Sequence, residues 1–328
     1  MWNFQKRRGL IIKGYDNDPI WRDMQRFLPE QNRLSDYNLP HEYTINIHGM
    51  NIHVDHYRHE KPKAKVILFH GVGGNGRLLS FIALPLHKNG FEVICPDLPL
   101  YGYTEYSDKI NYDTWVKCGT EIVQYYQNQD SLKTFLFGLS AGGMLAYQVA
   151  CACGVNGVIA TCILDQREAV VTRKTARNPI FGALGKRFMW LLRYCFPDLR
   201  LPMKLVSNMK CIVNNQALAK ILMADARSAG VRVPIRFLHT MLSPQFKTEP
   251  ERFDRCPFLL VHPEQDMWTD LSLSLIFYDR LACEKELKLL KGAGHFPIEP
   301  EGLGELEIFC LEFMERNRNE PPDKSRRP

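Results

Sequence analysis

The stretch Thr134–Ala150 constrains the fold more than any other part of this chain. Thr134-Phe135-Leu136-Phe137 is a short apolar run that reads as a buried strand, and Met144-Leu145-Ala146-Tyr147-Gln148-Val149-Ala150 reads as a helix. Between them lies Gly138-Leu139-Ser140-Ala141-Gly142-Gly143. A turn that takes a strand straight into a helix is strained and crowded, so the positions two residues either side of Ser140 must be small. Gly138 and Gly142 meet that need, and Gly143 lets the helix lie close to the sheet. Such a turn lifts the Ser140 hydroxyl clear of the sheet. It also places the Ala141 N–H at a helix N-terminus, where negative charge is stabilised.

The flanking sequence repeats the alternation of strand and helix. Residues 1–40 are mixed and polar, with a helix expected over Pro19–Leu28 from its apolar spacing. Glu42–His48 and Ile52–Tyr57 alternate apolar and polar residues around Gly49-Met50-Asn51, which predicts an antiparallel hairpin with one face on a core. Strands are then expected at 65–69, 91–95, 134–137 and 157–164, with helices at 77–88, 112–127 and 141–152. This order argues for a mostly parallel sheet covered by helices on both faces. The alternation stops at Asp165. About eighty residues follow that read as helical, basic and aromatic-spotted, including Phe181, Phe188, Trp190 and Tyr194. It resumes with strands at 258–261 and 286–290 and helices at 270–283 and 301–316. An insertion between two halves of one sheet lies where a cap over a site would sit.

At 328 residues, with 45% apolar and 24% charged residues, the chain has the composition of an ordinary globular protein. It has no apolar run long enough to span a membrane and no secretory h-region. Ten cysteines without a Cys-x-x-Cys pair read as reduced thiols, several of them beside strands, in a cytoplasmic protein. The net charge of +6 is uneven: residues 167–250 hold fifteen Lys/Arg against four Asp/Glu, a local +11 that leaves −5 for the rest. One reading of that charge is a solvated helical face whose Lys and Arg bury their stems. The other is contact with an anionic lipid, as substrate head group or as membrane surface, so peripheral membrane contact through the basic cap is expected on it. Trp2 and Phe4 beside basic residues are a second, weaker candidate for a membrane contact. No nucleic-acid partner is indicated.

A serine hydroxyl attacks only when a base removes its proton, and that base needs an orienting carboxylate. For a serine on this kind of turn the carboxylate and then the histidine should follow in sequence. His295, in the glycine-rich loop Lys291–Pro297 after the last strand, can swing over the sheet toward Ser140. Asp266, after the strand 258–261, is the leading carboxylate; Asp165 is its rival, and Glu264 and Asp270 are nearby alternatives. A developing oxyanion needs two aimed N–H donors. Ala141 supplies one, and Val72, or failing it Gly71, supplies the other from the loop His70-Gly71-Val72-Gly73-Gly74. His70 itself is expected to hold that loop rather than to act as a base. No Gly-Lys-Ser/Thr follows these glycines and no ribose-binding acid is in register, so a phosphate loop is not supported. His53 and His56, three apart on a strand, face opposite sides and do not form a metal site.

These residues together resemble the serine α/β-hydrolases, particularly the monoacylglycerol lipase and lysophospholipase-like branch. Four pieces match in order: the strand running into His70-Gly71-Val72-Gly73, the Gly-x-Ser-x-Gly turn at 138–142, Asp266, and Gly294-His295. The resemblance implies an α/β-hydrolase fold: an eight-stranded, mostly parallel sheet with an N-terminal antiparallel hairpin and a helical cap inserted after the sixth strand. The implied divisions are an extension at 1–40, core at 41–166, cap at 167–250, core again at 251–316 and a disordered tail at 317–328. It further implies a Ser140–His295–Asp266 triad, no cofactor and no metal. The implied activity is hydrolysis of a carboxylic ester of an acyl chain through an acyl-enzyme. Thioester, lactone or amide hydrolysis on the same triad, or a non-catalytic ligand-binding role, are the alternatives. The chain departs from the family at Asp97-Leu98-Pro99-Leu100-Tyr101-Gly102-Tyr103-Thr104, where the usual first glycine and the serine are replaced. Asp97 is expected to hold that loop.

Overall fold

The computed structural model describes residues 14–106, 109–178 and 189–318. In chain order its strands are β1 (His41–Ile47), β2 (Met50–Tyr57), β3 (Lys65–Phe69), β4 (Glu92–Pro96), β5 (Thr134–Gly138), β6 (Gly157–Ala160), β7 (Arg200–Pro202), β8 (Arg232–Pro234), β9 (Phe258–Pro263) and β10 (Lys285–Leu290). Eight of them form one sheet in the order β1-β2-β4-β3-β5-β6-β9-β10. β2 runs antiparallel to β1 and to β4, and the pairs from β4 to β10 are parallel. The central strands β3, β5, β6 and β9 are buried at every position, as expected where helices cover both faces. The edge strands β1 and β10 keep exposed or half-exposed positions.

The helices that cover the sheet are those the sequence periodicity indicates, with shifted ends. α1 (Pro19–Gln25) is capped by the Asp18 carboxylate, which accepts from the Ile20 N–H at 3.0 Å. A 3₁₀ turn at Arg77–Leu79 leads into α2 (Ser80–Lys88). α3 (Tyr112–Gln127) starts on a capping box in which Asn111 and Thr114 bond each other's backbone. α4 (Ala141–Ala150) packs on β3, β5 and β6. After the insertion, helices Leu271–Tyr278 and Pro300–Arg318 complete the layers.

Three expectations are corrected. The hairpin turns at His48-Gly49, both left-handed at φ 50° and 75° as a tight two-residue turn demands, and not at 49–51. The sixth strand stops at Ala160 rather than Leu164, because its neighbour β5 ends at Gly138, paired with Ala160, where the chain turns into α4. The insertion is not purely helical: β7 and β8 form a separate two-stranded antiparallel sheet. Its described helices are α5 (Ala169–Thr175), a segment at 189–195, and Met203–Val206, Gln216–Ala224 and Ile235–Met241. Trp2, Phe4, Phe181, Phe188 and the tail beyond Arg318 lie outside the described residues. Eight of the ten cysteines are buried, where they pack as small apolar side chains. Among the described residues no helix is long and apolar enough to cross a membrane.

Candidate active site

At the end of β5 the backbone of Ser140 sits at φ 57°, ψ −124°, a conformation non-glycine residues rarely adopt. The close packing that imposes it is visible in its neighbours. A Cβ on Gly142 would stand 2.1 Å from the Phe69 carbonyl oxygen, and one on Gly138 would stand 2.1 Å from the Gly142 oxygen. The Ser140 N–H is held by a residue no local pattern marks: Thr161, just past β6, accepts it on Oγ1 at 3.1 Å.

The fold brings three of the predicted side chains into one chain of hydrogen bonds. His295 Nε2 lies 2.8 Å from Ser140 Oγ, and His295 Nδ1 lies 2.7 Å from Asp266 Oδ2. A carboxylate accepts, so Nδ1 carries the proton and Nε2 is left to accept from the serine hydroxyl. His295 reaches this place from the loop after β10, which is tied to the Asp266 loop by the Gln265 N–H donating to the Ala293 carbonyl at 2.9 Å. Trp268 packs its ring 4.8 Å from the imidazole. Ser140, His295 and the Asp266 side chain are all nearly inaccessible.

Asp266 is held from several sides. Besides His295 it accepts from the Trp268 and Thr269 N–H groups, each at 2.8 Å, and from the Thr269 hydroxyl at 2.6 Å. Burial works to raise its pKa, but electrostatic interaction with the adjoining imidazole and these hydrogen bonds outweigh it and hold the carboxyl well below the usual range. Thr269, whose Oγ1 also lies 3.2 Å from His295 Nδ1, is a second residue the sequence did not single out. The rival acids are placed elsewhere. Asp165 is gripped by Arg167, at 2.9 Å from Nε and 2.8 Å from Nη2, and Arg167 in turn reaches Glu249. Asp270 caps the helix Leu271–Tyr278, and exposed Glu264 accepts from the Gly292 N–H at 3.1 Å.

The loop after β3 lies directly against the turn. A Cβ on Gly71 would stand 2.9 Å from both Ala141 N and Ser140 Cβ. Val72, next along, and Ala141 both line the space in front of the Ser140 hydroxyl. As the first residue of α4, Ala141 has no carbonyl one turn back to take its N–H. His70 holds this loop. Its Nε2 accepts from the Leu98 N–H at 2.9 Å, so its Nδ1 donates to the Gly71 carbonyl at 2.8 Å, and burial lowers its pKa to about 4, which keeps it neutral.

Asp97 anchors the altered loop beside it, accepting from the N–H groups of Gly76 at 2.7 Å and Tyr103 at 2.8 Å and from the Tyr15 hydroxyl at 2.9 Å. His53 lies between Asp97 and Glu42, at 2.9 and 2.8 Å. Burial disfavours its charge, yet Asp97 and Glu42 push its pKa up to about 10. Ligand atoms of Glu42, His53 and Asp55 lie within 4.8 Å of one another, but Arg77 already neutralises that group, 2.9 Å from Asp55 and 3.1 Å from Glu42. A divalent cation there would have to displace a buried guanidinium. His56 bonds to Glu92 and Tyr43 instead.

Above Ser140 opens a cavity of about 620 Å³, roofed by the insertion and walled by side chains such as Met144, Leu164, Met203, Val206 and Met241.

The sequence comparisons fit this architecture. A family model described as serine aminopeptidase, S33 matches residues 60–299. No match appears among curated protein sequences. Among solved structures, a soluble variant of monoglyceride lipase from Saccharomyces cerevisiae, in complex with a substrate analogue, superposes with a TM-score of 0.71 at 17% identity over 88% of this chain and 98% of that one. The monoacylglycerol lipase of Paleococcus ferrophilus gives 0.65 at 21% identity over 81% and 99%. A thioesterase domain from the curacin biosynthetic pathway gives 0.58 at 17% identity over 84% and 100%. Identities this low speak to the fold alone. With the family model covering most of the chain and the eight-stranded sheet carrying its insertion after β6, the chain belongs to the serine aminopeptidase S33 family of α/β-hydrolases.

Proposed function

We propose that the protein is a serine hydrolase that cleaves carboxylic esters of acyl-chain substrates through a covalent ester on Ser140. The observation that carries this reading is the hydrogen-bonded line Ser140–His295–Asp266, whose serine opens onto an apolar cavity. On this reading His295 Nε2 takes the hydroxyl proton as Ser140 Oγ attacks the acyl carbon. The Val72 and Ala141 N–H groups receive the oxyanion. His295 then passes the proton to the departing alcohol, and water, activated by the same imidazole, releases the acid and restores Ser140. Asp266 keeps the imidazole in the tautomer that allows both transfers. The apolar walls suit an acyl chain, and structures of like fold include proteins named as a monoglyceride lipase and a monoacylglycerol lipase. Thioesters, lactones and amides can enter the same chemistry, and a non-catalytic binder on this fold would retain the cavity.

A fluorophosphonate should label Ser140, and a panel of acyl esters, thioesters, lactones and aminoacyl amides should show the esters turned over best. Ser140→Ala should lower that turnover by about three orders of magnitude or more. Retained turnover, or a wild type that resists labelling, would overturn the reading.

A second reading concerns where the substrate is met. Trp190, Leu191, Tyr194, Phe196, Leu199 and Leu205 are exposed large apolar side chains within one short part of the cap, interleaved with Arg193, Arg200 and Lys204. Apolar side chains flanked by basic ones suit the surface of an anionic bilayer.

A further inference from the structure

Among the described residues, one charged side chain lines the cavity above Ser140, and it is Arg177. It follows α5 and is held in place at three points. Its neighbour Ala176 forms an isolated antiparallel bridge with Ser207. Its own N–H donates to the Val206 carbonyl at 3.1 Å, and its Nη1 donates to the Lys204 carbonyl at 2.9 Å. No carboxylate among the described residues forms an ion pair with it; the cap acids Asp198 and Glu249 pair with Arg236 and Arg167. A guanidinium has five donors in a planar fork that matches a carboxylate or phosphate. Here the exposed Arg177 brings the remaining donors of that fork to the wall of a ligand space, and no carboxylate among the described residues takes them.

Its position also says which part of an ester it would meet. The Trp268 Nε1–H donates to the Thr175 carbonyl at 3.1 Å, and the Trp268 ring lies 4.8 Å from the ring of His295. The C-terminal end of α5 therefore sits on the imidazole side of Ser140. The imidazole is the group that hands a proton to the departing alcohol, so the alcohol portion occupies that side. Arg177 is two residues past Thr175, a reach of at most about 7 Å of backbone.

We propose that Arg177 reads an anionic group on the alcohol portion of the substrate. The preferred substrates are then single-chain acyl esters of an alcohol bearing a phosphate or carboxylate, with the acyl chain in the apolar cavity. The proposal rests on Ser140 forming the acyl ester.

The test uses the full-length protein with the hexanoyl esters of glycerol and of glycerol 3-phosphate, both as monomers below self-association, so that no lipid surface is present. Wild type should favour the phosphate ester by about tenfold or more in kcat/KM, mostly through KM, as a charge-assisted forked contact gives. Arg177→Gln should bring the ratio close to one, Arg177→Lys should leave an intermediate ratio, and Arg177→Glu should invert it. Because the neutral ester serves as the reference in each variant, a general loss of folded enzyme does not change the ratio. A wild-type ratio near one, or a preference that survives Arg177→Gln, overturns the proposal while leaving the ester hydrolase intact. A preference seen only on vesicles of anionic lipid also overturns it, since the charge would then act at the membrane. Turnover of neither ester, with no fluorophosphonate labelling of Ser140, overturns the hydrolase reading and this proposal with it.

Discussion

Asp266 and Asp165 both follow strands that end beside Ser140, and they differ in what surrounds them. The Asp266 carboxylate faces His295, whereas that of Asp165 is occupied by the Arg167 fork. Asp266→Asn should lower turnover by about four orders of magnitude with the fold retained, because the imidazole loses the partner that sets its tautomer. Asp165→Asn should instead lower the melting temperature and leave turnover within a few-fold. Kinetics and thermal melts of both variants check this, and a larger kinetic effect from Asp165→Asn would mean the acid is misassigned. His53 makes a pH prediction. Its folded-state pKa, raised to about 10, lies above the ordinary histidine value near 6.5. The stability it contributes is therefore full below about pH 6.5 and is lost as pH rises through about 10. His53→Gln should lower stability at pH 7 and flatten the fall of melting temperature between pH 7 and 10. A variant whose melting temperature falls as steeply as wild type would show that His53 is not the group responsible.

At the scale of elements, the decisive contacts join pieces far apart in sequence. The register pairing Gly138 with Ala160 puts Thr161 beside Ser140, so that its hydroxyl receives the strained residue's N–H. Thr161→Val leaves that buried donor without an acceptor and should cost about 1–3 kcal/mol of stability. Thr161→Ser should restore most of it, and denaturant titrations of the pair would show whether the hydroxyl or the shape matters. Gly142→Ala has no such relief, because its Cβ would meet the backbone of β3 at 2.1 Å. The turn and the strand cannot both keep their places, so soluble protein with wild-type labelling by fluorophosphonate would contradict the packing described here.

Across the whole molecule, the N-terminal segment links the core to the insertion. α1 packs on the helix Gln216–Ala224, Tyr15 bonds Asp97, and the Gly102 N–H donates to the Arg227 carbonyl at 3.0 Å. The insertion is thus tied to the core, and it carries the exposed apolar and basic side chains. The protein should bind anionic vesicles at low salt and release as ionic strength rises, since exposed charges are screened over about 10 Å at 0.1 M salt. Replacing Trp190, Leu191 and Phe196 with serine should weaken binding without changing its salt dependence. Neutralising Arg173 and Lys174 on α5, together with Lys186 and Arg187 beyond the described residues, should weaken binding and reduce that dependence. Cosedimentation measures both; absence of binding at low salt would remove the membrane reading.

The sheet and the order of its main elements were legible from periodicity, because strands buried on both faces need unbroken apolar runs and covering helices need spaced ones. Ser140, Asp266 and His295 were legible as a set because each stands in a loop at the carboxyl end of a strand, after β5, β9 and β10. Asp266 led Asp165 in the sequence although both follow strands; in the structure the contact of Asp266 with His295 and the Arg167 fork on Asp165 set them apart. Strand ends were misjudged where pairing with a neighbour, rather than the residue's own apolarity, sets the length, as at Ala160. The basic character of the insertion is plain in the sequence. Its two-stranded sheet, the partners of Thr161 and Thr269, and the placement of Arg177 at the cavity wall depend on contacts between distant segments. The first and last are selected by how the insertion closes over the core and the threonine contacts by strand register and loop packing within the core, and local sequence carries no signal of them.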